Sequence, residues 1–281
     1  MSGKLVVCPT PLGNLGDMPP RALEALRAAD VVCAEDTRVT GKLLVALGIE
    51  GKRLERLDEN VIGERAAEIV ARVADGEVIA YCTDAGMPGV SDPGLRLVRA
   101  ARDAGVGVEV LPGPTAVATA YVASGTPASA FYFGGFFPRR DKARADVLEQ
   151  LRGLDAALVF YESPKRIVAA LSVIADVFPK RTVTVCRELT KLHEEVVRGL
   201  ALQVFADFKN RDVVKGEIVV VIDPPAGNEV EVCPDDVAAR AVELVSQGER
   251  PKDVAKQLAA EFGIPRNEAY DLAVGAKNHG Q

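Results

Sequence analysis

Cysteine, histidine and tryptophan are scarce in this sequence, and their scarcity limits the kinds of site it can build. The 281 residues include five cysteines, two histidines and no tryptophan. No C-x-x-C pair exists, and the two closest cysteines, Cys8 and Cys33, are 25 positions apart. We therefore expect no metal, no zinc site and no disulfide framework. The cysteines beside apolar runs are expected to be small buried side chains; they are Cys8, Cys33, Cys82 and Cys186.

Long apolar runs and an excess of basic charge are also missing. No apolar run reaches the roughly 18 residues of a membrane-spanning helix, and Pro9 interrupts the short apolar stretch near the start. We therefore expect neither a membrane segment nor a signal peptide. The 34 Lys and Arg against 40 Asp and Glu give a net charge of −6, which excludes a generally basic protein that coats nucleic acid but leaves room for a local basic patch. We expect a soluble protein of the cytoplasm.

The first 113 residues alternate short apolar runs with longer amphipathic ones. The apolar runs predict strands at 4–10, 31–36, 78–83 and 108–112. The amphipathic stretches predict helices at 19–30, 61–75 and 95–105. This β-α rhythm favours a doubly wound, mostly parallel sheet.

The second half of the chain predicts another α/β domain. Strands are expected at 131–136, 157–162, 182–188 and 217–223, and helices at 142–152, 164–177 and 199–209. The strands are denser here and alternate less regularly with helices, so we expect a mixed sheet. Residues 223–229 have the composition of a linker, with two prolines and a glycine.

A helical tail follows the linker. Residues 235–247, 251–261 and 266–276 predict three short helices in a helix-turn-helix-like module. From Val230 onward the tail carries six Lys and Arg against nine Asp and Glu, which favours packing or partner docking over contact with nucleic acid. We therefore predict two α/β domains, 1–113 and 114–225, and a helical module at 230–281.

Three loops rich in glycine and proline follow strands of the first domain, at 9–17, 84–94 and 111–120. No P-loop and no G-x-G-x-x-G fingerprint occurs. Open α/β sheets bind ligands at the carboxyl ends of their strands, and loops with few side chains let a bulky ligand approach the backbone. The loops therefore predict a pocket, the alternative being three unrelated turns. Thr115 is expected to cap the helix that follows the third loop.

Charged clusters follow several strands, and each has a structural as well as a functional explanation. The segments 33–38, 161–166 and 187–195 each place charges at a strand end, where they could also be solvated turns. Residues 136–144 join aromatic rings to a basic run of net charge +3. This combination suits phosphate contact and base stacking, the alternative being buried rings beside a solvated basic turn.

Together these segments resemble the tetrapyrrole-methylase superfamily of non-Rossmann S-adenosylmethionine (SAM) methyltransferases. They are most similar to its ribosomal branch, the 16S rRNA (cytidine-1402)-2′-O-methyltransferases. The segments that carry the resemblance are PTPLGNLGD (9–17), AEDTR (34–38), TGKLL (40–44), DAGMPGVSDPG (84–94), LPGPTA (111–116), FYESPKR (160–166), RELTKLHEE (187–195) and KGEIVVV (215–221). Two positions depart from the family pattern, with Met87 in place of Thr and Lys165 in place of His.

The resemblance implies a two-domain α/β enzyme with a helix-turn-helix-like tail, which binds SAM in the cleft between the domains and forms a homodimer. It implies 2′-O-methylation of cytidine 1402 in the 16S rRNA of the 30S subunit, without membrane contact. Matched residue by residue, the implied SAM pocket consists of Leu12, Asp84, Ala85, Gly86, Met87, Pro88, Thr115, Ala116, Tyr161, Leu189 and Gly216.

A neutral hydroxyl group is a poor nucleophile, so the implied reaction calls for a general base or a cation beside the oxygen. The candidate catalytic residues are Glu35, Asp36, Arg38, Glu188, Lys191 and His193. Of these we favour Glu188 to orient and Lys191 to lower the pKa of the hydroxyl. The cations available to RNA phosphates are Arg38, Lys42, Arg139, Arg140, Lys142, Arg144, Lys165 and Arg166.

Two other functions stay open at this point. One is C-methylation of a tetrapyrrole by a member of the same superfamily. The other is a non-catalytic factor that binds SAM or RNA and assists ribosome assembly.

Overall fold

The computed structural model of the chain describes residues 3–225, 234–247, 249–262 and 266–279. The chain divides into two compact units. One consists of Met1–Leu148 with Ala156–Pro224, and the other of Glu149–Asp155 with Pro225–Gln281.

The first sheet has five parallel strands, which confirms the doubly wound arrangement predicted from the alternation. The strands are β1 (Lys4–Val7), β2 (Val31–Ala34), β3 (Arg53–Arg56), β4 (Val78–Cys82) and β5 (Gly107–Val110), in the order β3-β2-β4-β1-β5. The helices are α1 (Pro20–Ala28), α2 (Thr37–Ala46), α3 (Ile62–Ala74) and α4 (Gly94–Asp103). Apolar clusters cover both faces of the sheet, as parallel strands require.

One strand of this sheet and one of the helices beside it were not predicted. Strand β3 has the sequence RLER and lies at the edge, where its charged side chains conceal the apolar pattern of a strand. Helix α2 begins within the segment that we considered a charged turn. Its N-cap is Asp36, whose carboxylate accepts the Arg38 N–H over 2.8 Å, so one role of this acidic residue is to start the helix.

The second sheet is mixed, as predicted. Its strands are β6 (Phe131–Phe136), β7 (Ala157–Glu162), β8 (Thr182–Arg187), β9 (Glu195–Leu200) and β10 (Ile218–Ile222), in the order β6-β7-β10-β8-β9. Strands β6 and β7 are parallel and the other pairs are antiparallel. The helices are α5 (Ala116–Ser124), α6 (Asp141–Gln150), α7 (Ile167–Val177) and α8 (Ala201–Lys209). Strand β9 was not predicted, because its half-buried and exposed positions alternate without an apolar run.

The three predicted tail helices are confirmed as α9 (Pro234–Ser246), α10 (Pro251–Phe262) and α11 (Arg266–His279). They enclose a small apolar core of their own, to which Val237, Leu244 and Leu258 contribute. The predicted linker reaches into residues 226–229, which lie outside the described part of the chain. Among the described residues, every helix is too short or too polar to cross a membrane.

The predicted burial of four cysteines is also confirmed. Cys8, Cys33, Cys82 and Cys186 are buried free thiols. Burial raises the pKa of each thiol, to about 12 for Cys33, so these groups pack as small apolar side chains and do not act as nucleophiles near neutral pH.

Candidate active site

Loops meet at the edge of the first sheet where its parallel strands end. The loop after β1 pairs with the loop after β4: the Thr10 N–H donates to the Gly86 carbonyl over 3.0 Å, and the Gly86 N–H donates to the Thr10 carbonyl over 3.1 Å. Gly86 has a φ of +81°, and a Cβ there would lie 3.0 Å from Leu12 and 3.5 Å from the Pro114 carbonyl. The close approach of three loops therefore requires glycine at this position.

Asp92 holds the loop after β4 in shape. One of its carboxylate oxygens accepts the Gly89 N–H over 2.7 Å and the Val90 N–H over 3.1 Å, and the other accepts the Gly94 N–H over 2.8 Å. These hydrogen bonds within one turn fix a backbone that carries few side chains. The loop can therefore present its backbone to a ligand without rearranging.

A cavity of about 480 Å³ opens over these loops, which confirms the predicted pocket. This volume lies within the range of small-molecule sites. The first sheet contributes residues that follow β2, β4 and β5. The second sheet contributes residues around the ends of β7 and β8 and the start of β10. Every residue of the SAM pocket that the resemblance implies lines this cavity, except Pro88, which is buried without lining it.

Thr115 lines the cavity but does not cap its helix in the way we predicted. It occupies the N-cap position of α5, yet its side chain makes no hydrogen bond to the first helical turn. Thr115 therefore lines the cavity without capping the helix.

Two carboxyl groups that follow strands β2 and β4 of the first sheet stand at the cavity wall. Glu35 accepts a hydrogen bond of 2.7 Å from the Thr83 hydroxyl, and Asp84 accepts one of 3.1 Å from the Asp36 N–H. Burial raises the pKa of Glu35, and the nearby charge of Asp84 adds to this increase while the Thr83 hydrogen bond opposes it. Burial also raises the pKa of Asp84. Both groups therefore bind a proton more readily than a solvated carboxylate does.

A lysine that follows β8 of the second sheet contacts two glutamates, one of which lines the cavity. The Lys191 ammonium donates to Glu188 Oε1 over 2.9 Å and to Glu217 Oε2 over 3.2 Å, and Glu217 lines the cavity. Burial lowers the pKa of Lys191, but the two glutamates outweigh it and the net shift is upward. The Lys191 hydrogen bond lowers the pKa of Glu188. Lys191 is therefore a cation near neutral pH, and Glu188 is a weak base.

The segment that presents Lys191 has an unusual backbone. Glu188 and Thr190 have φ angles of +53° and +65°, a region that residues other than glycine seldom adopt and that is least favourable for β-branched side chains such as Thr. The Thr190 hydroxyl is buried without a hydrogen-bond partner. Such strain persists only where surrounding contacts impose it, and here it accompanies the burial of Leu189 against the cavity.

The predicted set of RNA-binding cations is wrong at Arg144, which is buried. Its side chain is 2% exposed and lies 3.4 Å from the Glu162 carboxylate, which is itself fully buried. Arg166 also contacts Glu162, over 2.6 Å. A buried guanidinium that is already paired cannot reach a phosphate group. Arg144 therefore belongs to the structure behind the cavity wall.

The remaining candidates differ in their surroundings. The Arg38 side chain is largely exposed and pairs with Asp36 over 2.6 Å, and this pairing lowers the pKa of Asp36. His193 is exposed in a turn and does not line the cavity. Of the other cations proposed to bind RNA, those exposed at the surface are Lys42, Arg139, Arg140, Lys142 and Lys165.

Comparison with known proteins gives the family. A family model described as "Tetrapyrrole (Corrin/Porphyrin) Methylases" matches residues 4–204. This chain belongs to that family. As a tetrapyrrole methylase it is a methyltransferase, and the expected fold class is confirmed.

Relatives of this tetrapyrrole methylase carry a more specific name. The chain is 42% identical over 279 residues to "Ribosomal RNA small subunit methyltransferase I" of Mycobacterium tuberculosis, covering 98% of this chain and 96% of that protein. It is 39% identical over 278 residues to the protein of the same name from Escherichia coli O157:H7, covering 97% and 95%. Among solved structures, the methyltransferase CobJ superposes with a TM-score of 0.62 at 21% identity, covering 80% of this chain and 95% of that one.

Several residues that line the cavity of this tetrapyrrole methylase were not predicted from the sequence. They are Thr83, Val90, Ser91, Asp92, Phe136, Glu162, Ser163, Pro164, Cys186, Glu217, Ile218 and Val219. Nine of them lie inside the segments that carried the resemblance, and Thr83 and Cys186 each directly precede one, so the segments themselves were the signal. Phe136 lies outside these segments, and its signal was the aromatic start of the basic run at 136–144. Among the described residues, no group of three or more His, Cys, Asp or Glu is placed to hold a metal ion.

Proposed function

We propose that this chain transfers the methyl group of SAM to the 2′-oxygen of a cytidine ribose, at position 1402 of the 16S rRNA in the 30S subunit. Its relatives of the same length, named as small-subunit rRNA methyltransferases, support an rRNA substrate. The observation that carries the proposal is a cavity lined by Glu35, a carboxyl group of raised pKa, and by Glu217, which accepts a hydrogen bond from the Lys191 ammonium. A base of this kind can accept the proton of a hydroxyl nucleophile, and a cation can stabilise the charge that develops on its oxygen.

The residues of the cavity fit SAM. Gly86 and Gly216 line the cavity and present backbone without a side chain, and a Cβ there would meet Leu12 and Glu188 respectively. Leu12, Met87 and Leu189 supply apolar contacts, and Asp84 supplies a negative charge for a cationic ligand. When bound, SAM supplies a methyl group attached to a positively charged sulfur. We propose that the residues named from the resemblance hold SAM. Among them, Thr115 contributes its hydroxyl, which makes no capping hydrogen bond to the helix.

In the proposed mechanism Glu35 accepts the proton of the ribose hydroxyl. A base works best when its pKa approaches the working pH, and burial moves the pKa of Glu35 in that direction. The Thr83 hydroxyl fixes one carboxylate oxygen. Lys191 stabilises the negative charge that develops on the ribose oxygen, because its ammonium stays protonated.

Glu188 acts in this proposal as a positioning residue. Its carboxylate binds both the Lys191 ammonium and the Glu217 N–H over 2.9 Å each. A carboxylate with two such donors holds the lysine and is a poor proton acceptor. Asp36 and Arg38 pair with each other, and Asp36 caps a helix, so we assign neither these two residues nor the exposed His193 to the chemical step.

We propose further that exposed cations bind the phosphate groups around the target nucleotide. Arg38, Lys42, Arg139, Arg140, Lys142 and Lys165 are the exposed members of the set. Arg166 is partly exposed and shares Glu162 with Arg144. We also propose that the chain acts as a homodimer in the cytoplasm, with α/β domains at 1–113 and 114–225 and a helical module at 230–281.

Methyl transfer from radiolabelled SAM to three acceptors tests the proposal. The acceptors are 30S subunits from a strain that lacks the enzyme, naked 16S rRNA and a porphyrinoid. We expect label on the 30S subunit. Label on naked 16S rRNA alone would move recognition to an early assembly intermediate. Label on the porphyrinoid would favour C-methylation of a tetrapyrrole, and SAM binding without transfer to any acceptor would favour a non-catalytic role.

A further inference from the structure

The Phe136 ring lines the cavity although more than half of its surface is exposed. It is 56% exposed at the end of β6, whereas the next ring along the chain, Phe137, is 1% exposed. An exposed aromatic ring that also lines a cavity is a surface that a bound ligand can cover.

A β-bulge aims Phe136 at the cavity. Phe133 pairs with Val159 and Phe136 pairs with Tyr161, so three steps along β6 match two steps along β7. In a regular strand, side chains three positions apart point to opposite faces. The bulge places both rings on one face, where Phe133 and Phe136 lie 4.9 Å and 5.5 Å from the Tyr161 ring centre.

Glycines form the bulge. Gly135 has a φ of +71°. A Cβ at Gly134 would lie 2.1 Å from the Phe160 ring, so a residue larger than glycine at position 134 would collide with this ring. Bulges of this kind commonly redirect a side chain next to an active site.

The backbone on the other side of Phe136 is also fixed. The Phe137 N–H donates to the Tyr161 carbonyl over 3.0 Å, and the Phe137 ring packs 4.1 Å from that of Phe160. The Tyr161 ring meets Phe136 edge-on, with 70° between the two planes. The backbone beside Phe136 is therefore hydrogen-bonded and its ring packs against Tyr161 before any ligand arrives, which reduces the entropy lost on binding.

We propose that Phe136 stacks on the base of the target nucleotide; this inference rests on the proposed function. A nucleobase is planar and offers a π-face of the size of a phenyl ring. Exposed cations follow within six residues of the ring, at Arg139, Arg140 and Lys142, and backbone phosphates accompany any base in RNA. The pairing of an exposed ring with adjacent cations is the combination that single-stranded RNA requires.

Filter binding of 30S subunits from a strain that lacks the enzyme tests the base contact. We compare Phe136→Ala, Phe136→Tyr and the matched control Phe131→Ala, a ring of similar exposure on the same strand that does not line the cavity. Phe136→Ala is expected to raise the Kd for the 30S subunit about five- to hundred-fold. The slope of log Kd against log salt should not change, because the variant keeps every cation that binds a phosphate group. Phe136→Tyr and Phe131→Ala should bind as the wild type does.

Calorimetry with SAM and the labelling assay distinguish failure of the base contact from failure of the proposed function. An unchanged SAM affinity in Phe136→Ala supports the base contact. A large loss of SAM affinity assigns the ring to the methyl donor and overturns the inference. An unchanged Kd for the 30S subunit also overturns it, while methylation of the 30S subunit by the wild type leaves the proposed function intact. If the wild type labels no RNA, the proposed function and the base contact both fail.

Discussion

The stem of Lys191 lies directly on the backbone of Gly13. A Cβ at Gly13 would be 2.2 Å from Lys191 Cγ and 3.1 Å from Cδ and Cε. Gly13 belongs to the loop after β1, and Lys191 follows β8 of the second sheet. Glycine at this position therefore lets Lys191 cross from one α/β part to the other and place its ammonium beside Glu217.

Gly13→Ala is expected to displace Lys191. The added methyl group cannot coexist with the present path of the lysine stem, and overpacking of this kind costs about 1–3 kcal/mol. We expect a lower Tm and a lower single-turnover rate of methyl transfer. Gly16→Ala in the same loop is the control, because its nearest neighbour is the tip of the Asn14 side chain at 3.2 Å.

A double-mutant cycle isolates the contact. With Lys191→Ala already present, Gly13→Ala should leave the Tm unchanged, because the stem that it would strike is gone. An equal loss of stability in both backgrounds would show that Gly13 is required for another reason.

Lys191→Met is expected to slow the chemical step while SAM binding persists. Methionine keeps most of the apolar stem but removes the positive charge, and the loss of one group that stabilises an oxyanion lowers a rate by about 100- to 1,000-fold. Single-turnover kinetics on 30S subunits measures the rate, and calorimetry measures SAM binding. Lys215→Met, at an exposed lysine nearby, should behave as the wild type. Full activity in Lys191→Met would remove this lysine from the mechanism.

The rate of methyl transfer should depend on the ionisation of Glu35. Its pKa is raised by burial and by the charge of Asp84, and only the ionised form accepts a proton. The single-turnover rate should therefore increase as pH rises through a pKa above the usual glutamate range. Glu35→Gln should abolish this acid limb together with most of the activity. If the acid limb persists in Glu35→Gln, another group is the base.

The raised pKa of Glu35 also predicts how the stability of the fold changes with pH. A carboxyl group whose pKa is raised in the folded state stabilises the fold fully below its unfolded pKa and loses that contribution as pH rises through its folded pKa. Glu35→Gln should therefore have a higher Tm than the wild type at neutral pH, and the difference should disappear in acid. Thermal melts across this pH range provide the measurement.

Arg144 and the pair Arg139 and Arg140 should respond differently to substitution. Arg144→Met removes one of the two cations that contact the buried Glu162 carboxylate, with Arg166 remaining at 2.6 Å, and should lower the Tm without changing the salt dependence of RNA binding. Replacing Arg139 and Arg140 by Gln should leave the Tm nearly unchanged and weaken binding to 30S subunits. The slope of log K against log salt should become shallower by about 0.7–0.9 for each phosphate group that is no longer bound.

An unchanged slope in the Arg139 and Arg140 double variant would remove these cations from the RNA interface. A changed slope in Arg144→Met, with the protein still folded, would return that arginine to it.

Much of this fold is predictable from the sequence because apolar burial determines it. The buried runs of β1, β4 and β10 and the amphipathic face of α3 are visible as patterns. Strand β3 is not visible, because this edge strand carries charged side chains in place of an apolar run. Its Glu55 carboxylate forms ion pairs with Arg53, Arg65 and Arg72.

The site is predictable where glycine and proline determine the backbone, and less so where distant side chains meet. The loops at 9–17 and 84–94 indicated the cavity because their composition restricts them. Nothing local indicates that Arg144 turns inward, since its partner Glu162 lies 18 positions later. Nor does the sequence show that the bulge at Gly134 and Gly135 turns Phe136 toward the cavity, because strand register depends on the neighbouring strand.

The position of the transferred methyl group tests the central proposal most directly. Labelled 16S rRNA from the 30S reaction is hydrolysed in alkali, which cleaves at every free 2′-hydroxyl group and spares a 2′-O-methylated ribose. The proposal predicts that the label stays in one alkali-resistant dinucleotide whose 5′ residue is cytidine 1402. Label released as a mononucleotide would place the methyl group on a base and contradict the proposal.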